Sequence, residues 1–292
     1  MLDLQNIIPL GTSKKRKFGS VFLVKDINSQ EDYILKTAKK DVISAKALLQ
    51  FKNEHTFHFQ ELGLPQVVSF EESEQTISLL LKHKKGVGLQ DFWLTIPRKK
   101  RLSFTKQFVR KVILLLEIIH SQGIYHCDLK PSNFIIEGDI NHFNVHLIDF
   151  GMAIDKKNTD YLNRGIIFPL GFAAPELILN RIDLINNTTD YFALGITIYR
   201  LWAEKLPLSH INPSVFTNLQ LAHPIPYESA MPKKLNNWIS KVCFKPKWRT
   251  APNLMLENEI TKSLMDSFQN RYKTSEEILF EIEKVEEKKW FW

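Results

Sequence analysis

One loop constrains this chain more than any other stretch. In residues 124–136, IYHCDLKPSNFII, an apolar strand-like segment leads into a polar stretch carrying His126, Asp128, Lys130 and Asn133, and an apolar run then resumes. Asp128 offers a carboxylate that can accept or orient a hydroxyl proton. Lys130 offers a cation that can neutralise moving charge, and Asn133 an amide oxygen that can hold a metal ion. Sixteen residues beyond Asn133, Leu147-Ile148-Asp149-Phe150-Gly151 brings a second carboxylate behind an apolar run.

The texture of the chain changes near Gly86. Before it, Val21, Leu23 and residues 33–36 alternate well enough for two strands, with 28–32 as the turn between them. Residues from about 44 to 62 space Ala47, Leu48, Phe51 and Phe57 as a helix does, with Gly63 and Pro65 as its stop. Two more short strands follow, around 67–70 and 77–81. After Gly86 helices dominate. Residues 104–121 read as an amphipathic to strongly apolar helix. Residues 190–203 are apolar on almost every face, as a helix at the centre of a domain must be. Asp190 sits near the start of that helix, where a carboxylate meets free backbone N–H groups. An acidic helix over 275–289 ends the pattern. There is no internal repeat and no low-complexity linker. The 292 residues, 44% of them hydrophobic, suffice for a substantial core. The expectation is one α+β domain, with a small β-rich lobe over about 1–83 and a larger, mostly helical lobe over about 84–292.

The loop and the turn together resemble the catalytic loop and metal-binding turn of the eukaryotic-type Ser/Thr protein kinase family, whose fold is bilobal. Ala174-Pro175-Glu176 resembles the close of that family's activation segment. Asp190-Tyr191-Phe192-Ala193-Leu194-Gly195 resembles the start of its central helix, and Arg271-Tyr272-Lys273-Thr274 its last motif. The resemblance implies a pairing of Glu176 with Arg271, Arg249 being the competing partner. Ile34-Leu35-Lys36 resembles the strand bearing the ATP lysine. It implies that Lys36 contacts the α- and β-phosphates and is held by Glu54, eighteen residues on. Phe18-Gly19-x-Val21 resembles the end of the glycine-rich loop. Leu10-Gly11-Thr12 resembles its start, with about three extra residues and a basic run between. By the same resemblance Gly11 and Gly19 approach the phosphates, and Val21, Ile34 and Ile135 enclose the adenine. Leu81 closes the back of that pocket and 82–84 form the hinge. Asn133 and Asp149 hold Mg²⁺. The likeness covers residues from about 10 to 285 and implies an ATP- and Mg²⁺-dependent Ser/Thr kinase acting on a protein substrate.

Two other readings compete: a pseudokinase scaffold and a small-molecule kinase on the same core. The first predicts loss of Lys36, Asp128, Asn133 or Asp149, and all four are present. The second usually lacks the Lys-Pro after the catalytic Asp and the Ala-Pro-Glu, and both are present here. One departure from the family pattern stands out: Cys127 occupies the position before Asp128 where the family usually has Arg. A thiol cannot supply the cation that pairs with a phosphorylated activation segment. Pro169 and Leu170 stand about where the family has a threonine, and Thr159 and Tyr161 are the only hydroxyls between Asp149 and Glu176. Ile166, Ile167, Phe168 and Phe172 offer packing in place of a phosphate, and Lys156 is the alternative cation. Activity without activation-segment phosphorylation is therefore expected.

The formal net charge is +7, with basic clusters at 14–17, 82–85 and 98–101. These read as solvated loops or as an attraction for acidic partners. No zinc spacing, recognition-helix pattern or aromatic–glycine motif supports nucleic-acid binding. The longest apolar run, 112–119, is interrupted by Glu117 and is too short to span a bilayer. The opening MLDLQNIIPL does not read as a signal peptide. Two cysteines, Cys127 and Cys243, make no disulfide framework, which fits a reducing, cytoplasmic setting. Trp290-Phe291-Trp292 is expected to tuck against its own domain.

Overall fold

Alternating burial builds the first region. The computed structural model describes residues 4–10, 19–158 and 168–286; Gly11, the 14–17 run, Thr159, Tyr161, Ile166, Ile167 and Trp290-Phe291-Trp292 lie outside the described residues. Strands β1 (Leu4–Pro9), β2 (Ser20–Asp26), β3 (Asp32–Lys39), β4 (Val67–Glu72) and β5 (Thr76–Lys82) form one antiparallel sheet in the order β1-β2-β3-β5-β4. Along β5 the period of two is visible in the packing. Ile77, Leu79 and Leu81 join one apolar cluster with Ala38 and Phe51, while Leu80 joins Val24 and Tyr33 on the other face.

Helix α1 (Ala45–Glu54) covers the first of those faces with Phe51 and Leu48, and the Ser44 side chain caps it by accepting the Ala47 N–H. It stops well short of the 44–62 that spacing suggests. The reason lies in Phe57 and Phe59. Both are buried while His58 between them is exposed, an extended rather than helical pattern. Their rings lie 5.8 and 5.0 Å from the Phe150 ring, so this segment serves the metal turn and Gly63 ends no helix.

The second region holds α2 (Leu89–Thr95), α3 (Arg101–Ser121), α4 (Pro175–Ile178), α5 (Asn187–Ala203), α6 (Pro213–Ala222), α7 (Lys233–Val242), α8 (Glu257–Asn270) and α9 (Ser275–Glu283). Short strands β6 (Val87–Gly88), β8 (Phe134–Gly138) and β9 (Phe143–Leu147) make a three-stranded sheet, and β7 (Ile124–Tyr125) pairs with β10 (Ile154–Asp155). The arrangement is the expected α+β class. α5 is buried along nearly all its length and packs with α3 in the main core, where Trp202 Nε1 donates to Thr105 Oγ1 at 3.0 Å. It begins three residues earlier than 190–203, because Asn186 and Thr189 form a capping box. Asp190 is thus inside the helix and does not cap it. α9 ends at Glu283 rather than 289, where Val285 turns inward and is buried.

Candidate active site

The β8–β9 hairpin brings the loop and the turn together. Its register pairs Phe134 with Leu147, so the residue before β8, Asn133, faces the residues after β9; Ile148 N donates to the Asn133 carbonyl at 2.9 Å. Asp149 follows, with φ +67°, a left-handed backbone that a non-glycine residue adopts only when its surroundings hold it there.

α1 supplies the hold. The buried Asn53 side chain donates to the carbonyls of Phe150, Gly151 and Ala153 at 3.3, 3.2 and 2.8 Å, binding the turn to the helix end. The next residue, Glu54, reaches the other way. Lys36 Nζ lies 2.7 and 2.6 Å from its two carboxylate oxygens and 3.9 Å from Asp149 Oδ1. Burial disfavours the Lys36 charge, but Glu54 and then Asp149 outweigh it, so its pKa is raised and the ammonium persists. Asp149 stays 45% exposed towards the cleft. Burial pulls its pKa upward, yet Lys36 and Lys130 hold it below the ordinary Asp value.

In the loop, Asp128 Oδ2 accepts from Lys130 Nζ at 2.7 Å and from Asn133 Nδ2 at 3.1 Å, and its backbone carbonyl accepts from the same Asn133 amide at 2.8 Å. Its other oxygen, Oδ1, is buried and has no hydrogen-bond partner among the described residues. Burial raises the Asp128 pKa, with Lys130 opposing. The loop is hung from α5. Asp190 accepts the backbone N–H of His126 at 2.9 Å and of Cys127 at 2.8 Å, and its Oδ2 is 2.8 Å from His120 Nε2. Asp190 therefore meets free N–H groups of the loop, not of its own helix. Those bonds hold Cys127 at φ +60°. His126 Nδ1 accepts from Asp128 N at 3.3 Å, which leaves Nε2 as the donor to the Ile148 carbonyl at 3.2 Å. Burial lowers the His126 pKa, consistent with a neutral ring.

Beside these groups opens a cavity of about 320 Å³ between the five-stranded sheet and β8. Val21, Ile34, Leu81 and Ile135 line it together with Leu10, residues 82–84 and Gly86. Ile34 and Leu81 are register partners on β3 and β5. Gly86, with φ +125°, allows the chain to pass where a Cβ would collide with the Ile136 carbonyl. Gly19 is not on this cavity. At φ +83° it packs on Thr37 and Ala38 of β3 and lines a separate recess of about 430 Å³. Gly11 lies outside the described residues.

Asn133 Oδ1 and the Asp149 carboxylate are hard oxygen donors of the kind Mg²⁺ takes alongside phosphate and water oxygens. Asn133 Oδ1 accepts one bond, from Ser132 Oγ at 3.2 Å, and Asp149 one long bond from Gly151 N at 3.4 Å, so both keep acceptor capacity for a cation. Among the described residues no group of three or more His, Cys, Asp and Glu side chains could hold a metal by itself. The donor set therefore suits an ion that arrives with phosphate oxygens.

Further off, Arg271 grips Glu176 with two bonds, 2.8 and 3.1 Å, both side chains fully buried, and Arg249 is exposed. Asn53 and Gly86 were not singled out by sequence. No local pattern sets Asn53 apart from Lys46, Gln50 and Lys52, the other polar residues on its side of Glu54.

The protein kinase domain model matches residues 15–275. A probable serine/threonine-protein kinase of Dictyostelium discoideum is 28% identical over 218 residues, 72% of this chain and 46% of that protein. Serine/threonine-protein kinase D of Synechocystis sp. is 30% identical over 246 residues, 78% of this chain and 45% of the relative. Maternal embryonic leucine zipper kinase of Danio rerio is 35% identical over 150 residues, 48% of this chain and 20% of the relative. The chain thus spans less than half the length of these curated relatives. With a family model covering most of its residues, the chain belongs to the protein kinase domain family, among the eukaryotic-type Ser/Thr kinases.

Proposed function

We propose that the protein transfers the γ-phosphoryl group of ATP to Ser or Thr hydroxyls of a protein substrate. The observation that carries this reading is the setting of Asp128, whose carboxylate is held in place by Lys130 and Asn133. The Asp128 carboxylate takes the proton of the substrate hydroxyl as the hydroxyl oxygen bonds to the γ-phosphorus. The bond from that phosphorus to the β–γ bridging oxygen breaks, and ADP leaves with the electron pair. Lys130 neutralises charge on the transferred group. Lys36, oriented by Glu54, contacts the α- and β-phosphates. Val21, Ile34, Leu81 and Ile135 enclose the adenine. Asn133 and Asp149 would hold Mg²⁺, which when bound neutralises phosphate charge. Among the described residues no helix is long and apolar enough to cross a membrane. A cytoplasmic setting is supported by two free, buried cysteines, and an acidic substrate by the +7 charge.

Activity in this reading needs no phosphorylated activation segment. What supports it is the surrounding of Cys127, which packs with Met152, Ile154, Phe168, Ala173 and Leu177 in one apolar cluster. Phe172 packs against the main core. Lys156, the alternative cation, is occupied by the Asp183 carbonyl at 3.3 Å and by the Tyr125 ring, 5.6 Å from its centroid. Incubation of the purified protein with γ-labelled ATP, Mg²⁺ and a mixed set of proteins tests the reading. Label on Ser or Thr, absent without Mg²⁺, is expected. Label confined to small molecules or to Tyr rejects the proposed substrate class.

A further inference from the structure

The segment after α7 makes a second cavity, remote in sequence from the loop and the turn. Residues 244–248, FKPKW, cross the end of α6 and are tied to its last carbonyls. Trp248 Nε1 donates to Leu221 O at 2.9 Å, and Lys245 Nζ to Leu219 O at 3.4 Å. Between the segment, α6 and α7 lies a solvent-open cavity of about 410 Å³, with Ala222, Ile225, Phe244, Pro246 and Trp248 on its walls and Lys245 among them.

Lys245 is out of place for a structural residue. Only 6% of it is exposed, and a lysine buried this far is usually paired. Its ammonium has three donors, yet among the described residues it makes one long bond, to a carbonyl. Burial, then Cys243 and Arg271, act on its charge; Cys243 is a neutral thiol, its pKa pushed up to about 12 by burial, and Arg271 is itself a cation. No carboxylate is among them. The neighbouring Lys247 adds positive charge at the rim. Apolar walls around one under-satisfied cation describe a site for an anion with an apolar body.

We propose that this cavity binds a small organic carboxylate with a flat apolar body. Its carboxylate takes the unfilled Lys245 donors, and its body lies against Phe244 and Trp248. An anion at Lys245 supplies the missing counter-charge, so binding takes up a proton wherever the free lysine is partly deprotonated. Burial lowers the Lys245 pKa to about 8, and affinity is therefore full below that pH and declines above it.

Calorimetric titration of the full chain with 2-naphthoate, and with 2-naphthylmethanol as its neutral counterpart, tests the proposal. One naphthoate binds per chain, is not displaced by saturating Mg²⁺-ATP, and binds at least about tenfold more tightly than the alcohol. Lys245→Met weakens naphthoate by about tenfold or more. Ala222→Phe, at an exposed wall position, fills the cavity and abolishes binding without changing the melting temperature, and it decides the matter if Lys245→Met does not fold. The proposal is overturned by the absence of saturable naphthoate binding up to about 5 mM. It is equally overturned by equal affinity for the alcohol, by displacement with Mg²⁺-ATP, or by full binding in Ala222→Phe.

Discussion

Among the ion pairs that join distant parts of this chain, two are built in opposite ways. Lys36 and Glu54, eighteen residues apart, meet at the edge of the cleft; Lys36 is 20% exposed and has a second anion, Asp149, within 3.9 Å. Glu176 and Arg271, ninety-five residues apart, meet with no exposure at all. The second pair is saturated. Glu176 also accepts from Thr189 Oγ1 at 2.9 Å, and Arg271 Nε donates to the Phe244 carbonyl at 2.9 Å. The first is left open on the side where phosphates would come. A cation that must trade partners during a reaction cannot be sealed, whereas a pair that closes the architecture must be.

The largest expected effect comes from breaking the sealed pair. Glu176→Gln leaves a buried guanidinium uncompensated and should cost about 3–5 kcal/mol of stability, read from the denaturant midpoint. A loss below about 1 kcal/mol would show the pair to be ornamental and remove the contrast. Lys36→Met should reverse the pattern. Turnover falls by about a hundredfold. The stability loss stays under half that of Glu176→Gln, because the cleft admits water and Glu54 can take up a proton. Equal stability losses in the two variants would erase the distinction between them.

Asn53→Leu sharpens the comparison from the helix side. Losing the Asn53 amide donor to the metal turn should lower turnover by about tenfold and raise the Mg²⁺ concentration needed for half activity, while Asn53→Asp should not restore it, since a carboxylate cannot donate. An unchanged Mg²⁺ requirement would mean the turn holds its shape unaided. The smallest effect is expected from Thr159→Ala with Tyr161→Phe, assayed on an external substrate after phosphatase treatment. Turnover should stay within about threefold of the parent. A collapse of about a hundredfold with the fold intact would make the segment a phospho-switch and undo the account of Cys127.

The sequence was most legible where chemistry fixes residue type within a short span. Asp128, Lys130 and Asn133 lie within six residues, and the geometry brings them together with Asp149 and Lys36. The Glu176–Arg271 contact was legible only through resemblance, because no local pattern distinguishes Arg271 from Arg249. Less was legible where one residue serves two masters. Phe57 fits a helical spacing with Phe51, but its packing on Phe150 breaks the helix before it. Asp190 reads as a helix-start carboxylate, yet its N–H partners belong to a loop more than sixty residues earlier. Asn53 looks like an ordinary surface amide until the Phe150, Gly151 and Ala153 carbonyls are found beside it.

The central claim is that the Asp128 carboxylate receives the hydroxyl proton of a protein substrate. Single-turnover transfer from Mg²⁺-ATP, compared between the parent and Asp128→Asn with nucleotide affinity measured in parallel, tests it most directly. The account predicts a rate lower by about a hundredfold or more, with ATP affinity within about threefold, since Asp128 is not among the residues lining the nucleotide cavity. Equal transfer rates in the two proteins would contradict it.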